Sequence, residues 1–397
     1  MLRGEGIVCF APDPWSDIWR NRHQIMSLLA QENRVLYVEP RPYLRAVARQ
    51  LVRGQRSINL SLGDRLHAVA GGLHVYQPPA YAPLSGREPL KSLCRTLRVR
   101  DLHNAMRRVG VERPILWLYR PDMDDVPGSC GERLLIYHMV DEYAGYADVG
   151  AERIAAVRER ERRLIARADL VLVSSRALLE RKGDINPRTY WVPNAVDYER
   201  FAAAAKAHRE PAELARWPHP RLGYVGAIND KLDTDLLLSV ARAFPQGTLV
   251  LVGPVRPATD AMRQGIEALQ AEPNVRFVGQ VPVERVPAFV AACDVGLLPY
   301  RRNAWTEHIH PLKLYEYLAC GLPVVSTDIP SVRDEAAVIA IAADAQDYVD
   351  RIAAVLANDS AALRSERQAR AACNTWRDRV VQISELIEAA LANGGQH

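Results

Sequence analysis

Hydrophobic positions along the N-terminal half of this chain fall into short, nearly continuous runs separated by segments of helical spacing. The runs are Gly6 to Ala11, Arg34 to Glu39, Pro114 to Tyr119, Arg133 to Val140 and Asp169 to Ser175. Runs of this length, rich in β-branched and aromatic residues, read as strands buried on both faces. Between the first two runs, Ile18 to Gln31 places Ile18, Ile25, Leu28 and Leu29 on one helical face. Arg153 to Ala168 reads as a strongly charged helix. The alternation predicts an α/β protein with a parallel, doubly wound sheet. In such sheets ligands bind beyond the carboxyl ends of the strands. The loop Pro12 to Asp17, with Trp15 in it, lies at that end.

The same rhythm then restarts. Arg221 to Val225, Leu249 to Gly253, Val275 to Gly279 and Asp294 to Leu298 are short strand-like runs, each after the first following a helical segment. A small-residue stretch, Ala202 to Ala207, and the proline-containing Trp217-Pro218-His219-Pro220 precede them. A long amphipathic helix, Thr375 to Ala392, closes the chain with Trp376, Val380, Ile383, Ile387 and Leu391 on one side. The expected organisation is therefore a first domain over 1–203, a second over 204–374 and a terminal helix over 375–397. A length of 397 residues suits two domains of ordinary size.

Composition narrows the class. With 48% hydrophobic and 25% charged residues the chain is globular, not disordered. The six cysteines show no paired or metal-like spacing, which suggests a reduced, cytoplasmic setting. No apolar stretch approaches the roughly 20 residues that span a bilayer, and Met1 to Gly6 leads into a strand-like run without a secretory core. An integral membrane protein is not expected.

The net charge of +4 is unevenly placed: residues 1–200 carry 31 basic against 24 acidic side chains, and 41–108 carry 13 against 3. Such a field favours an anionic partner. Tyr43 to Gln55 reads as a helix with Arg45, Arg49 and Arg53 along one side and Leu44, Val47, Ala48, Leu51 and Val52 along the other. It is either a surface helix packing on its own domain or a docking element for an anionic membrane surface or acceptor. Lys91, Arg95, Arg98, Arg100, Arg107 and Arg108 add a second basic stretch. Nucleic acid is not expected as a partner, because no recognised motif is present and aromatics are sparse between the arginines.

Three stretches carry candidate chemistry. Asp141-Glu142-Tyr143 ends a buried strand. An acidic pair there is either a helix cap or a general base for an acceptor hydroxyl, with Asp141 first and Glu142 and His138 next in line. Tyr224-Val225-Gly226-Ala227-Ile228-Asn229-Asp230-Lys231 runs from strand through glycine towards a helix, the form of a phosphate-facing loop. Pro311 to Ala319 reads as a short helix, followed by a turn at Gly321 and a buried strand from Leu322 to Val325. Lys313 and Glu316 share a face close to that helix's N-terminus. They are either a solvated pair or a site where the lysine and free N–H groups meet phosphate and the carboxylate holds a ribose.

Four segments together resemble the GT-B fold, group 1 (family 4-like) glycosyltransferases, among them bacterial exopolysaccharide and cell-wall sugar transferases. They are Val192 to Asp197 with Phe201, Tyr224 to Ile228 with Lys231 and Asp233, Asn274 to Gly279, and Pro311 to Asp328. The resemblance implies two Rossmann-like domains facing across a cleft, with the last helix crossing back to the first. It implies transfer of a sugar from a UDP- or GDP-sugar to a glycan, polysaccharide or lipid-linked hydroxyl. The rivals are a sugar-nucleotide epimerase or hydrolase on the same fold and a non-catalytic nucleotide-sugar-binding scaffold. The implied donor-binding set is Gly226, Asn229, Lys231, Gly279, His310, Lys313, Leu314 and Glu316. Glu316 would bind the ribose and Lys313 and Lys231 the diphosphate, with Asp141 at the catalytic-base position. The nucleotide sugar is a co-substrate, so no cofactor is expected, and no metal. Asp122-Met123-Asp124 matches a metal motif only in spelling. The expected location is cytoplasmic, with peripheral docking at the inner face of the cell membrane. Two departures stand out. His308 occupies the place of the first glutamate in the retaining members' Glu-x7-Glu pattern, and Asn194-Ala195 replaces the usual Asn-Gly.

Overall fold

The computed structural model describes residues 1–52, 61–86, 88–143 and 151–394. Arg53 of the expected basic helix lies outside them. By internal contacts the chain divides into two compact units. The first holds Met1–Ser174, Leu178–Val192 and Arg379–His397, and the second Ser175–Ala177 and Pro193–Asp378. The second unit thus begins at Pro193, ahead of the small-residue stretch read as the joint. Phe201 and Ala202, within the helix Tyr198–Ala207, bury their side chains, and Phe201 joins the second unit's core.

The described residues of the first unit form an eight-stranded sheet. Its strands are β1 (Gly6–Phe10), β2 (Arg34–Val38), β3 (Leu66–Ala70), β4 (Leu73–Tyr76), β5 (Ile115–Leu118), β6 (Leu134–Met139), β7 (Leu170–Val173) and β8 (Thr189–Trp191). Their spatial order is β3-β4-β2-β1-β5-β6-β7-β8. All neighbours run parallel except β3, which pairs antiparallel with β4. The order reverses between β1 and β5, so their carboxyl ends form the switch point of this sheet.

Four helices matter here: α1 (Asn21–Leu29), α2 (Leu44–Val52), α3 (Leu90–Val109) and α4 (Ala151–Arg167). Leu102, Ala105 and Met106 of α3 and Leu164 and Ile165 of α4 pack on Val8, Leu36, Leu116, Leu135 and Val171. Each of these side chains except that of Ala105 contributes roughly 1.5–3 kcal/mol on full burial. The terminal helix Trp376–Ala392 adds Val380, Ile383 and Ile387, all fully buried. Gln382 Nε2 donates to the Trp191 carbonyl at 3.1 Å.

In the second unit the strands are β9 (Arg221–Val225), β10 (Thr248–Val252), β11 (Val275–Gly279), β12 (Val295–Leu298), β13 (Val324–Thr327) and β14 (Ala340–Ala342). They form a parallel sheet in the order β11-β10-β9-β12-β13-β14. Counted within the unit this is 3-2-1-4-5-6, the dinucleotide-binding order, and its switch point lies between β9 and β12. The ladders show the crevice opening. β9 pairs with β10 along its whole length, from Arg221 to Val225. With β12 it pairs only at Leu222 and Gly223. Past Gly223 the Val225 N–H instead donates to the Tyr317 hydroxyl at 2.9 Å.

Among the described residues no helix is long and apolar enough to cross a membrane.

Candidate active site

At the second unit's switch point the helix Leu312–Ala319 begins directly after Pro311, which caps it without a side-chain hydrogen bond. The first-turn N–H groups are therefore free of a side-chain cap, and the helix dipole favours an anion there. The helix is fixed from two sides. Tyr317 meets β9 as described, and the Tyr315 hydroxyl donates to Glu335 at 2.8 Å, itself paired with Arg370. The turn before the helix is tied as well, because Asn194 Nδ2 donates to the His310 carbonyl at 2.6 Å. Asn194 makes this contact with Ala195 after it in place of glycine.

Two of the sequence segments converge at this point. Gly226 follows β9, and a Cβ built on it would lie 2.4 Å from Lys313 Cε. Lys313 therefore runs across the glycine's backbone face, which only a residue without a side chain leaves open. Beside it stands Gly253, at the end of β10, whose φ is +139° and whose added Cβ would fall 2.0 Å from the Gly226 carbonyl oxygen. Gly253 in turn donates its N–H to the Gly279 carbonyl at 2.8 Å. A Cβ at Gly279 would meet open space. Three glycines at the ends of three adjacent strands thus make a low backbone shelf beneath the lysine.

The remaining members of the expected donor set differ in what they offer. Glu316 keeps part of its surface open, yet burial raises its carboxyl above the ordinary range against the opposing pull of Lys313 and Arg200. Asn229 Oδ1 is buried without a protein partner, so it is available to a ligand. Lys231 holds its ammonium 5.6 Å from the centre of the Tyr300 ring, a cation–π placement. The His310 ring stacks on Tyr315 at 5.8 Å. Leu314 is fully buried, so its side chain belongs to the core and only its backbone can face a ligand. His308 is also buried, in the turn Thr306–His308.

In the first unit the three candidate bases separate clearly. Asp141 is half-buried just beyond β6, where Tyr143 anchors the chain by donating to the Tyr119 carbonyl at 2.7 Å. Glu142 points inward. It is 3% exposed, lies 3.1 Å from Lys182 and shares that lysine with buried Glu161. A carboxylate committed to a buried cation is a poor proton acceptor for a substrate, so Glu142 is corrected to a structural anchor. His138 is corrected likewise. It is 1% exposed, faces the aromatic rings of Trp117 and Tyr119, and burial lowers its pKa to about 3. Its ring nitrogens, Trp117 Nε1 and the Tyr119 hydroxyl are buried without protein partners, a polar interior rather than an exposed base.

The metal-like pair also has other employment. Asp122 accepts from Arg120 and Tyr43, and Asp124 pairs with Arg163. On α2, Arg45 and Arg49 are exposed and Val47 is buried. The apolar side is only partly covered by protein, since Tyr43 and Leu44 are 54% and 41% exposed.

Residues 219–358 match the family described as Glycosyl transferases group 1. The matched stretch lies wholly within the second unit. The match spans both segments that meet at Gly226 and Lys313. A curated relative is TuaH of Bacillus subtilis strain 168, assigned as a glycosyltransferase of teichuronic acid biosynthesis. It is 31% identical over 229 residues, which are 55% of this chain and 57% of TuaH. The chain therefore matches little more than half of that relative's length.

Among solved structures, sucrose-phosphate synthase from Thermosynechococcus elongatus superposes with a TM-score of 0.71 at 18% identity, covering 98% of this chain and 100% of that one. Anabaena HepE in complex with UDP and glucose superposes with a TM-score of 0.62 at 16% identity, covering 97% and 99%. At these identities the likeness is one of fold, and the fold is GT-B. Within the matched stretch, Gly253 is a shelf residue that sequence reading noted only as the end of a strand. Its one signal was a glycine closing the run after Leu249, in step with Gly226 and Gly279.

Proposed function

We propose that this protein is a glycosyltransferase that moves a sugar from a nucleoside diphosphate donor to a hydroxyl of a glycan or lipid-linked acceptor. The observation that carries this reading is the meeting of Lys313, the uncapped helix N-terminus and the Gly226–Gly253 shelf at the switch point of a dinucleotide-order sheet. It supplies positive charge and close backbone approach where a diphosphate needs both. The match of residues 219–358 to the group 1 family and the naming of TuaH support the transferase reading. HepE's UDP and UDP-glucose complexes support a nucleotide-sugar donor.

In the reaction the acceptor oxygen bonds to the anomeric carbon as the carbon–oxygen bond to the diphosphate breaks. The first unit supplies Asp141, which takes the hydroxyl proton. In the second unit Lys313, Lys231 and the helix N–H groups stabilise the charge that collects on the departing diphosphate. This electrostatic role falls to fixed donors, so the reading requires no metal.

The test is sugar transfer from a panel of UDP- and GDP-sugars to an acceptor extract in the presence of EDTA. The wild type should transfer with the chelator present. Asp141→Asn should bind nucleotide diphosphate as the wild type does while transfer falls by about 10²–10⁴. Full transfer by that variant would remove Asp141 from the mechanism. Donor loss as free sugar, with no acceptor product, would favour a hydrolase.

We also propose that the first unit docks on an anionic membrane surface through α2 and the residue before it, where exposed Arg45, Arg49, Leu44 and Tyr43 combine basic and apolar contact. Changing Arg45 and Arg49 to glutamate should reduce co-sedimentation with phosphatidylserine vesicles. Each basic residue near such a surface is worth about 1 kcal/mol. Undiminished sedimentation would place the docking surface elsewhere.

A further inference from the structure

A groove of about 940 Å³ runs along α3 in the first unit, a volume within the range of ligand sites. One wall is a single helical stripe, since Thr96, Arg100, His103 and Arg107 recur at the spacing of one face. The other wall is the loop 128–131, and Arg113 closes one end just ahead of β5. His103 Nε2 lies 2.7 Å from the Ser129 carbonyl oxygen and ties the two walls together. The groove also has a direction. Arg113 stands at the amino-terminal edge of the sheet, whereas Arg95 reaches the loop that follows β5 at its carboxyl-terminal edge. That second edge is the one on which Asp141 follows β6.

The lining is one-sided in charge, with four arginines against one carboxylate, Glu112. Arg95 has Asp125 beside it. Arg100, Arg107 and Arg113 are exposed and stand in no ion pair among the described residues. Glu132, next to the loop, accepts from the N–H groups of Gly128 and Cys130 and pairs with none of the three. Arg107 donates only to its helical neighbour Asn104. Arg113 adds a second observation. Its φ is +45°, in the left-handed region that glycine occupies freely and side chains avoid. Its side chain makes no hydrogen bond among the described residues, so the fold's own contacts do not account for an arginine there.

We infer that this groove holds a polyanionic glycan, a stretch of acidic sugars that trails behind the acceptor's reacting end. Its successive anionic groups meet Arg100, Arg107 and Arg113, and its hydroxyls meet Thr96, Asn104 and the loop backbone. Arg100 and Arg107 are seven residues apart in α3, about 10 Å along the axis, which exceeds the reach of one acidic sugar. A bilayer surface is flat and does not follow a groove. Nucleic acid would find no aromatic side chain in the lining on which to stack a base. The inference rests on the transferase reading in taking the first unit as the acceptor's half, and it names the acceptor's class.

Calorimetry on the full chain with four probes tests it without any turnover: hexagalacturonate, maltohexaose, galacturonate and hexaglutamate. Hexagalacturonate should bind about tenfold more tightly than each of the others, or better. Arg100→Gln combined with Arg107→Gln should weaken it by about tenfold or more. Arg113→Gly, which relieves the left-handed backbone and so spares the fold, should also weaken it. Nucleoside diphosphate binding, measured on the same samples, should stay unchanged in every variant. It reports separately on the donor site, so loss of the transferase reading would show there and not here. Maltohexaose, galacturonate or hexaglutamate binding as tightly as hexagalacturonate would overturn the assignment. So would wild-type hexagalacturonate affinity in the double variant or in Arg113→Gly. If the double variant instead lost only its co-sedimentation with phosphatidylserine vesicles, the arginines would belong to a membrane surface and the glycan assignment would fall.

Discussion

Replacing Lys313 by alanine should weaken nucleoside diphosphate binding by about 10- to 100-fold. A hydrogen bond to a charged group is worth roughly 1.5–3 kcal/mol, and each 1.4 kcal/mol is about a factor of ten. Calorimetry with a nucleoside diphosphate and the matching monophosphate would read it. The monophosphate should lose less, because the lysine serves the charge that the second phosphate adds. The shelf offers an independent route to the same result. A methyl at Gly226 would strike Lys313 at Cε, and the glycine's φ of +157° disfavours any side chain, so Gly226→Ala should displace the ammonium and also lower stability. Unaltered diphosphate affinity in Lys313→Ala would sink the assignment of this helix to the donor.

Lys182→Met should destabilise the first unit by about 3–5 kcal/mol, the usual consequence of removing one partner from a buried charge cluster. Lys182 lies 3.1 Å from Glu142 and against Glu161, which also accepts from the Tyr137 hydroxyl at 3.2 Å. Both carboxylates are almost fully buried, and without the lysine only exposed Arg181, 3.7 Å from Glu142, is left to offset them. The deficit should shrink as the pH falls. In the wild type, burial already raises Glu161 above its ordinary 4.5. The folded state therefore holds that proton to higher pH than the unfolded chain does. Its contribution to stability is present at low pH and is lost as the pH rises through the raised value. The variant strengthens this trend. Urea unfolding at pH 8 and pH 5 would show it, and a pH-independent deficit would refute the two-carboxylate account.

That cluster also marks where sequence reading of the candidate site reached its limit. Asp141, Glu142 and His138 stand close together at one strand end, and spacing alone did not say which side chain turns inward. The answer lay with Lys182 and Glu161, whose pairing with Glu142 is a tertiary fact. The Lys313–Glu316 helix was legible because its chemistry is local to one turn. Its meeting with Gly226 was not, since β9 and this helix lie far apart in sequence and join only through the sheet order. For the fold, the buried parallel strands were plain because their apolar runs are continuous. The hairpin of β3 and β4 was passed over although Gly71-Gly72 between two runs is a hairpin signal. β3 is mostly exposed, and its side chains give no burial pattern to read.

The terminal helix has a practical consequence for exchange of parts between related chains. The second unit is, apart from Ser175–Ala177, one unbroken stretch from Pro193 to Asp378. It can be replaced as a cassette with one cut on each side. The first unit cannot be excised at a single cut. A fragment ending at Val192 lacks Val380, Ile383 and Ile387, whose side chains are wholly buried, and would present their vacated apolar groove to water. A chimaera that borrows another chain's donor half must therefore keep its own last helix, and a truncation at the C-terminus damages the half encoded first.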